Sequence, residues 1–418
     1  MRMRPYLLLL RRNRSFTRLY AAQLISFGGD WFAQVALLGL ALELTGSAAV
    51  ASLVLVLQML PFFLASPIAG VLADRLDRRR LMVGADLLRA VAALAFLLAR
   101  EPSTLWVALL AAAAISALSA FFEPTSSAAL PNLVDEEDLP VANVLLGSAW
   151  GTMLAVGAAV GGLVAVAFGR DAAFLLDAGS FAFSAALIVD IRRSFGGASA
   201  RASGAPTAAS SGMLAAMGEA LALARRSRSV AAFLLAKSTF GVGTGVILLL
   251  AVFGATVYEA GDLGIGVLFA ARGLGALLGP FIARAIFGFD EQGLIAGIGV
   301  AFFLFLGAYL LLPLAPGLAL AAGLVFVAHV GGGAQWTLST TGLQRSTPDA
   351  VRGRIFSVDY GLVTLVAAVS TIVAGAVTST YGPAAAIYAL AIPSAVVATA
   401  WVFWTRPLRR RVGATLPE

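Results

Sequence analysis

Apolar runs of about 20 residues or more recur along the whole chain, each long enough to cross the ~30 Å hydrocarbon layer of a bilayer as a helix. A water-soluble fold would have to bury all of this surface in one core. Sixty per cent of the residues are hydrophobic and only 12% are charged, far from the balance of a soluble domain. Length and helix breakers divide the chain into twelve predicted spans, near 17–44, 49–73, 81–99, 104–122, 141–167, 172–191, 229–258, 263–287, 292–313, 317–343, 355–380 and 384–405.

The arginines orient these spans. Of 29 Lys and Arg residues, 24 fall at or beyond span ends on one side; only Arg100 and Arg170 lie in loops on the other. Basic residues are retained on the cytoplasmic side, so both termini of this multi-pass membrane protein are expected there. The net charge of +7 is therefore a topology signal, and no nucleic-acid partner is expected. The first apolar run is too long for a signal-peptide core and reads as a retained helix. Residues 192–228 form the longest polar interruption, opening with the Ser/Gly/Ala-rich stretch 194–212 and closing with a predicted surface helix over 213–228. The expected organisation is an N-terminal six-helix bundle (1–191), a cytoplasmic linker (192–228), and a C-terminal six-helix bundle with a basic tail (229–418).

Between the second and third runs stands Gly70-x-x-x-Asp74-Arg75-x-x-Arg78-Arg79. In spacing and place it resembles the loop between helices 2 and 3 of the major facilitator superfamily of secondary transporters. A fainter echo, Gly279-Pro-Phe-Ile-Ala283-Arg284, follows span 8. Further pieces are similar to the drug:proton antiporter-3 group, which includes macrolide and siderophore exporters. They are Gly29-Asp30, Thr45-Gly46-Ser47, Asp86-x-x-Arg89, Phe122-Glu123-Pro124 with Leu130-Pro131, and Arg352-Gly353-Arg354. The span 5 pattern of those exporters occurs as Gly157-Ala158-x-x-Gly161-Gly162, without its proline, and the arginine that many of them carry in span 4 is absent. The resemblance implies an all-α integral membrane fold, two pseudo-symmetric six-helix bundles, working as a monomer by alternating access.

It also implies that helices 1, 4, 7 and 10 line a central cavity. In this chain each carries a polar stripe at helical spacing: Gln23, Ser26, Asp30 and Gln34; Ser116, Ser119 and Glu123; Lys237, Gly241 and Thr244; His329, Gly333, Trp336 and Thr340. A charged side chain near mid-bilayer costs roughly 3 kcal/mol, so such residues face a cavity or a partner. Asp30, Glu123 and His329 are the candidates for proton coupling, Asp30 first because it lies nearest mid-span on a cavity helix. Asp177 is placed in the outer part of span 6. The expected substrate cavity comprises Gln23, Asp30, Trp31, Gln34, Ser119, Phe122, Lys237, Thr244 and Trp336. Each has a structural reading beside the functional one: Asp30 as a packing acceptor, Glu123 as an interfacial carboxylate, Lys237 snorkelling, His329 as a hydrogen-bonded packer, the aromatics as core. A conformational gate is expected from Gly70, Asp74, Arg75, Arg78, Asp86, Arg89 and Asp359, with Arg75 and Arg78 pairing with Asp86 or Asp359 in one arrangement of the halves.

Enzymatic readings fare badly: one His and no Cys leave the usual transition-metal sites unavailable, and there is no Gly-rich phosphate loop ending in Lys-Ser/Thr. No cofactor is expected. The expected function is export of small apolar or amphipathic compounds by proton antiport, with protons and membrane lipid as the other partners. A lipid, lysolipid or facilitated carrier without proton exchange is the alternative within transport, and a non-transporting receptor or assembly protein the alternative outside it. Cysteines introduced at Ser47 and Ser203 should label with an impermeant thiol reagent from opposite sides of the membrane; labelling of both from outside contradicts the twelve-span topology.

Overall fold

The computed structural model describes residues 4–193, 195, 218, 222–223, 225–288, 290–347 and 349–409. Among them the fold is helical throughout. A short helix α1 (Arg4–Arg12) leads into α2 (Arg14–Thr45), α3 (Ala48–Arg75), α4 (Arg78–Leu94), α5 (Leu105–Leu133), α6 (Leu139–Phe168) and α7 (Arg170–Val189). After the linker come α8 (Arg228–Gly243), α9 (Val246–Val252), α10 (Gly261–Phe287), α11 (Glu291–Leu311), α12 (Leu318–Ser346), α13 (Asp349–Tyr381) and α14 (Pro383–Trp404). Eleven helices among the described residues are long and apolar enough to cross a membrane.

The predicted seventh span is the exception. It is divided at Thr244–Gly245 into α8 and α9, and its far end, Phe253–Val257, is a π-helical turn. The break is held from outside: Gly245 N–H donates to Ser370 Oγ (2.9 Å), and a Cβ at Gly245 would lie 2.3 Å from the Ser370 carbonyl oxygen. An uninterrupted apolar run gave no sign of this, because the partner sits on α13, 125 residues away.

Short connections are fixed by caps. Thr45-Gly46-Ser47 ends α2 with Gly46 in the left-handed region (φ 61°) and starts α3 with the Ser47 hydroxyl accepting from Val50 N–H. Asp77 caps α4 in the same way, accepting from Arg80 N–H at 2.8 Å. Pro61 sits inside α3, where its ring opens the helix. Ser116 of α5 repairs the opening, donating to the Gln58 carbonyl (2.6 Å) and accepting from Phe62 N–H (3.1 Å). Ser116 therefore points at α3 as a structural bridge.

Two compact units emerge from the contacts. The first holds the described part of residues 1–207 together with Ala251–Ala270; the second holds the described part of 208–250 together with Ala271 onward. In the first, α2 is central and packs on α6 and α7, while α3 lies on α5 and α4 on α5 and α7. Glycines allow these approaches: a Cβ at Gly161 of α6 would come within 2.8 Å of Phe32 Cα on α2. The segment 251–270 joins this unit through Gly162 and Gly266, whose added Cβ atoms would each lie 2.9 Å from the other helix's backbone oxygens. Arg170 also ties it, bonding Asp262 (2.8 and 3.2 Å) and Glu43 (2.7 Å). In the second unit α8 packs on α12, α13 and α14, and α11 on α12. Gly275 and Gly279 of α10 lie against α12, where a Cβ at either would be 2.2–2.3 Å from a carbonyl oxygen.

Candidate functional site

Each unit buries ionisable side chains at the level of its apolar core, and the two solve the electrostatic problem differently. In the first unit the organising group is Arg89 of α4, 2% exposed. Its Nη2 donates to both carboxylate oxygens of Asp30 on α2 (3.1 and 3.3 Å), and its Nη1 donates to Asp86 one turn earlier (3.1 Å) and to Ser26 (3.3 Å). The guanidinium lies 4.0 Å from the Phe181 ring centroid on α7 and 5.9 Å from that of Phe122 on α5. Four helices thus converge on one cation.

The carboxylates around it differ in environment. Asp86 is fully buried and its Oδ2 has no hydrogen-bond partner; Asp30 keeps 32% of its side chain exposed. Glu123 of α5 is half-buried, near enough to sense the charges of Arg89 and Asp30. Asp177 of α7 is 1% exposed, with Oδ1 unpartnered. Gly29 lets α7 come this close: a Cβ there would stand 2.2 Å from Ser180 Oγ and 2.8 Å from Asp177 Oδ1. The Gly29-Asp30 pair of the sequence is therefore one device, a smooth face beside a charge.

In the second unit the Lys237 ammonium of α8 pairs with the Asp359 carboxylate of α13, both side chains 1% exposed. Rings close over the cation at 4.8 Å (Trp336), 5.2 Å (Tyr360) and 5.7 Å (Phe356). Lys237 does not snorkel. His329 of α12 is buried, within hydrogen-bond distance of the Tyr309 hydroxyl (2.9 Å) and edge-on to Phe305. Arg272 lies near both Tyr309 and His329.

Several expectations are corrected by this geometry. In this arrangement Asp86 pairs with Arg89 of its own helix, and Asp359 with Lys237. Arg78 instead donates to the carbonyls of Ala128 (2.9 Å) and Phe195 (3.3 Å), and Arg79 to that of Arg193 (2.8 Å), so these side chains satisfy backbone at helix ends and loops. Gly70, Asp74 and Arg75 have side-chain positions outside the described residues. Arg89, expected in a gate, is the hub of the buried network. Phe122 is 2% exposed in a core cluster with Leu19, Met82 and Ile188. Trp31 is buried against Trp150 and Phe269, ring centroids 6.1 Å away in both cases. The Ser119 hydroxyl donates to the Ile115 carbonyl of its own helix (2.9 Å), Thr244 marks the break between α8 and α9, and Gln23 and Gln34 are half-buried on α2. Sequence reasoning missed Asp177, Ser180 and Phe181 as members of the Arg89 cluster. Their spacing, with Ser184, marks one polar face in an apolar span.

A polytopic bundle with compensated charges inside its helices is the build of a secondary transporter, and a crystal structure of a POT family transporter in complex with 5-aminolevulinic acid superposes with a TM-score of 0.75 at 13% identity, covering 95% of this chain and 97% of that one. Residues 9–412 match the family described as transmembrane secretion effector, and the chain belongs to that family of the major facilitator superfamily. It is 30% identical over 186 residues to the uncharacterised transporter YfiS of Bacillus subtilis, 44% of each chain. It is also 35% identical over 126 residues to macrolide efflux protein A of Streptococcus pyogenes, covering 30% of this chain and 31% of the relative. The matched segments thus span less than half of either relative.

The Lys237–Asp359 pair yields a direct test. Leaving either charge buried alone costs about 3–5 kcal/mol, whereas removing both restores much of the loss. Lys237→Met and Asp359→Asn should each lower the unfolding temperature in detergent markedly, and the double variant should recover most of it. Additive losses in the double variant would show that the two side chains act independently.

Proposed function

We propose that this protein is a secondary active exporter of small apolar or amphipathic compounds, driven by proton entry through alternating access, in a bacterial plasma membrane. The observation that carries the reading is the asymmetry of the Arg89 network. One buried guanidinium serves Asp86, which is sealed, and Asp30, which is partly exposed, so Asp30 is the carboxylate that water or substrate can reach. The kinship with a protein named for macrolide efflux supports the substrate class.

Proton uptake at Asp30 removes one of the two carboxylates that hold Arg89. The guanidinium then rests on Asp86, Ser26 and the Phe181 ring, and α2 loses its charged tie to α4. Each membrane arrangement of the helices thereby acquires its own preferred protonation state, which is what coupling requires. The membrane potential supplies roughly 2.3 kcal/mol per elementary charge per 100 mV, enough for one proton per cycle to drive appreciable accumulation.

The cargo can be found by thermal stabilisation in detergent across a panel of macrolides, siderophores and lysolipids. With the compound so identified, Asp30→Asn should reduce pH-gradient-driven export from proteoliposomes at least tenfold while leaving substrate counterflow measurable. Loss of both activities would make Asp30 a binding or structural residue. Unchanged gradient-driven export would move the coupling role to Glu123 or His329.

A further inference from the structure

Asp177 takes no part in the Arg89 hydrogen bonds, yet it is the most completely enclosed unpartnered carboxylate facing that cluster. We propose that Asp177 is the second proton-binding carboxylate of the antiport site, holding a proton while Asp30 is paired with Arg89 and passing it to Asp30 when that pair opens. The proposal rests on the proton-antiport reading and adds to it a proton store behind the exposed carboxylate.

On α7, Asp177, Ser180, Phe181 and Ser184 share one face, and that face is pressed on α2 and α4. Phe181 stacks on the Arg89 guanidinium, which fixes α7 against the hub. The Ser180 hydroxyl is committed to the Asp177 backbone carbonyl (2.7 Å), so it does not serve the carboxylate. Asp177 is 1% exposed, and its Oδ1 abuts the bare backbone of Gly29, the residue before Asp30.

Helices α2, α4 and α6 and the Ala95–Leu98 turn, which has no titratable side chain, pack against α7. From α2 the facing titratable group is Asp30; from α4 they are Asp86 and Arg89; from α5, Glu123. Helix α6, Leu139–Phe168, has no titratable side chain at all. Four carboxyl groups therefore meet one cation whose described hydrogen bonds go to Asp30, Asp86 and Ser26. An ionised carboxylate enclosed without cation or donor is the costliest arrangement available, and a bound proton removes that cost.

The O–H bond of the Asp177 carboxylic acid breaks as one forms on the Asp30 carboxylate. Asp30, now neutral, lets go of Arg89, and the new Asp177 anion takes up the guanidinium's charge from the α7 side. One positive charge keeps two negative neighbours before and after. Asp30 then exchanges its proton with water at its exposed face, and return of a proton through Asp30 resets Asp177.

Infrared spectroscopy of the reconstituted full chain tests this without needing a substrate. Wild-type protein at neutral pH should show a protonated-carboxyl C=O stretch that disappears in Asp177→Asn and weakens in Asp30→Asn, where a permanently neutral residue 30 leaves Arg89 to hold Asp177 ionised. Should Asp177→Asn fail to fold, Asp177→Glu serves instead: it keeps an acid at this position and should shift the same band. A band unaffected by either variant overturns the proposal. In proteoliposomes, Asp177→Asn should retain counterflow and lose gradient-driven export at least tenfold; export at the wild-type rate, or loss of counterflow as well, also overturns it. If the band is assigned to Asp177 but the wild type shows no gradient-driven export, the proton store stands and antiport falls, so the two readings fail separately.

Discussion

A guanidinium cannot be left alone in hydrocarbon, and the first six spans are arranged around that fact. Arg89 is 2% exposed, and its neighbours come from α2, α5 and α7 as well as its own helix. Each approach has a local cause. Gly29 removes a side chain so that α7 can close on α2, while Ser26, Asp30 and Asp86 supply acceptors at hydrogen-bond distance and Phe181 supplies a π-face. Moving any of these helices separates charges inside a low-dielectric layer, so the network favours a few discrete arrangements over a continuum.

The second unit makes the contrast that gives the first its meaning. Lys237 and Asp359 are matched one to one, both 1% exposed, under a roof of three rings. Such a pair is sealed and neutral. It ties α8 to α13 about three helical turns before Ser370, which supports the break after α8. The Arg89 cluster is instead rich in acids and half open at Asp30. An excess of carboxylates, with Asp30 and Glu123 only partly buried, is suited to proton exchange; a closed pair is suited to holding helices in place.

Much of this was legible in the sequence, for reasons that separate cleanly. Span lengths and the arginine bias report on lipid, a solvent that acts on every residue alone, so the spans emerged from composition and order. Gly29, Asp30, Asp86 and Arg89 stood out because Gly and buried charge are costly inside helices and rarely occur without cause. Their partners did not stand out, since pairing across helices depends on rotation about each helix axis. Asp86 stood beside Asp359 as a partner for Arg75 and Arg78 in one arrangement of the halves, while in this structure its own helix supplies Arg89, three residues on and facing inward. Asp177 was judged by depth along its span, whereas its face is what brings it to the cluster. The division at Thr244–Gly245 depends on a hydroxyl far away in the chain, and Ser116 looked like a lumen residue because a kink-repairing serine and a cavity serine share the same helical spacing.

The central claim is that Asp30 is the carboxyl group through which the Arg89 network exchanges protons with its surroundings. An apolar carbodiimide reacts with protonated carboxyl groups, and peptide mass spectrometry locates the adduct. Applied to the reconstituted protein over a range of pH, it should modify Asp30, increasingly as the pH falls, and leave the sealed Asp86 untouched. Labelling confined to carboxylates outside the network, with Asp30 unmodified at every pH, would contradict the account.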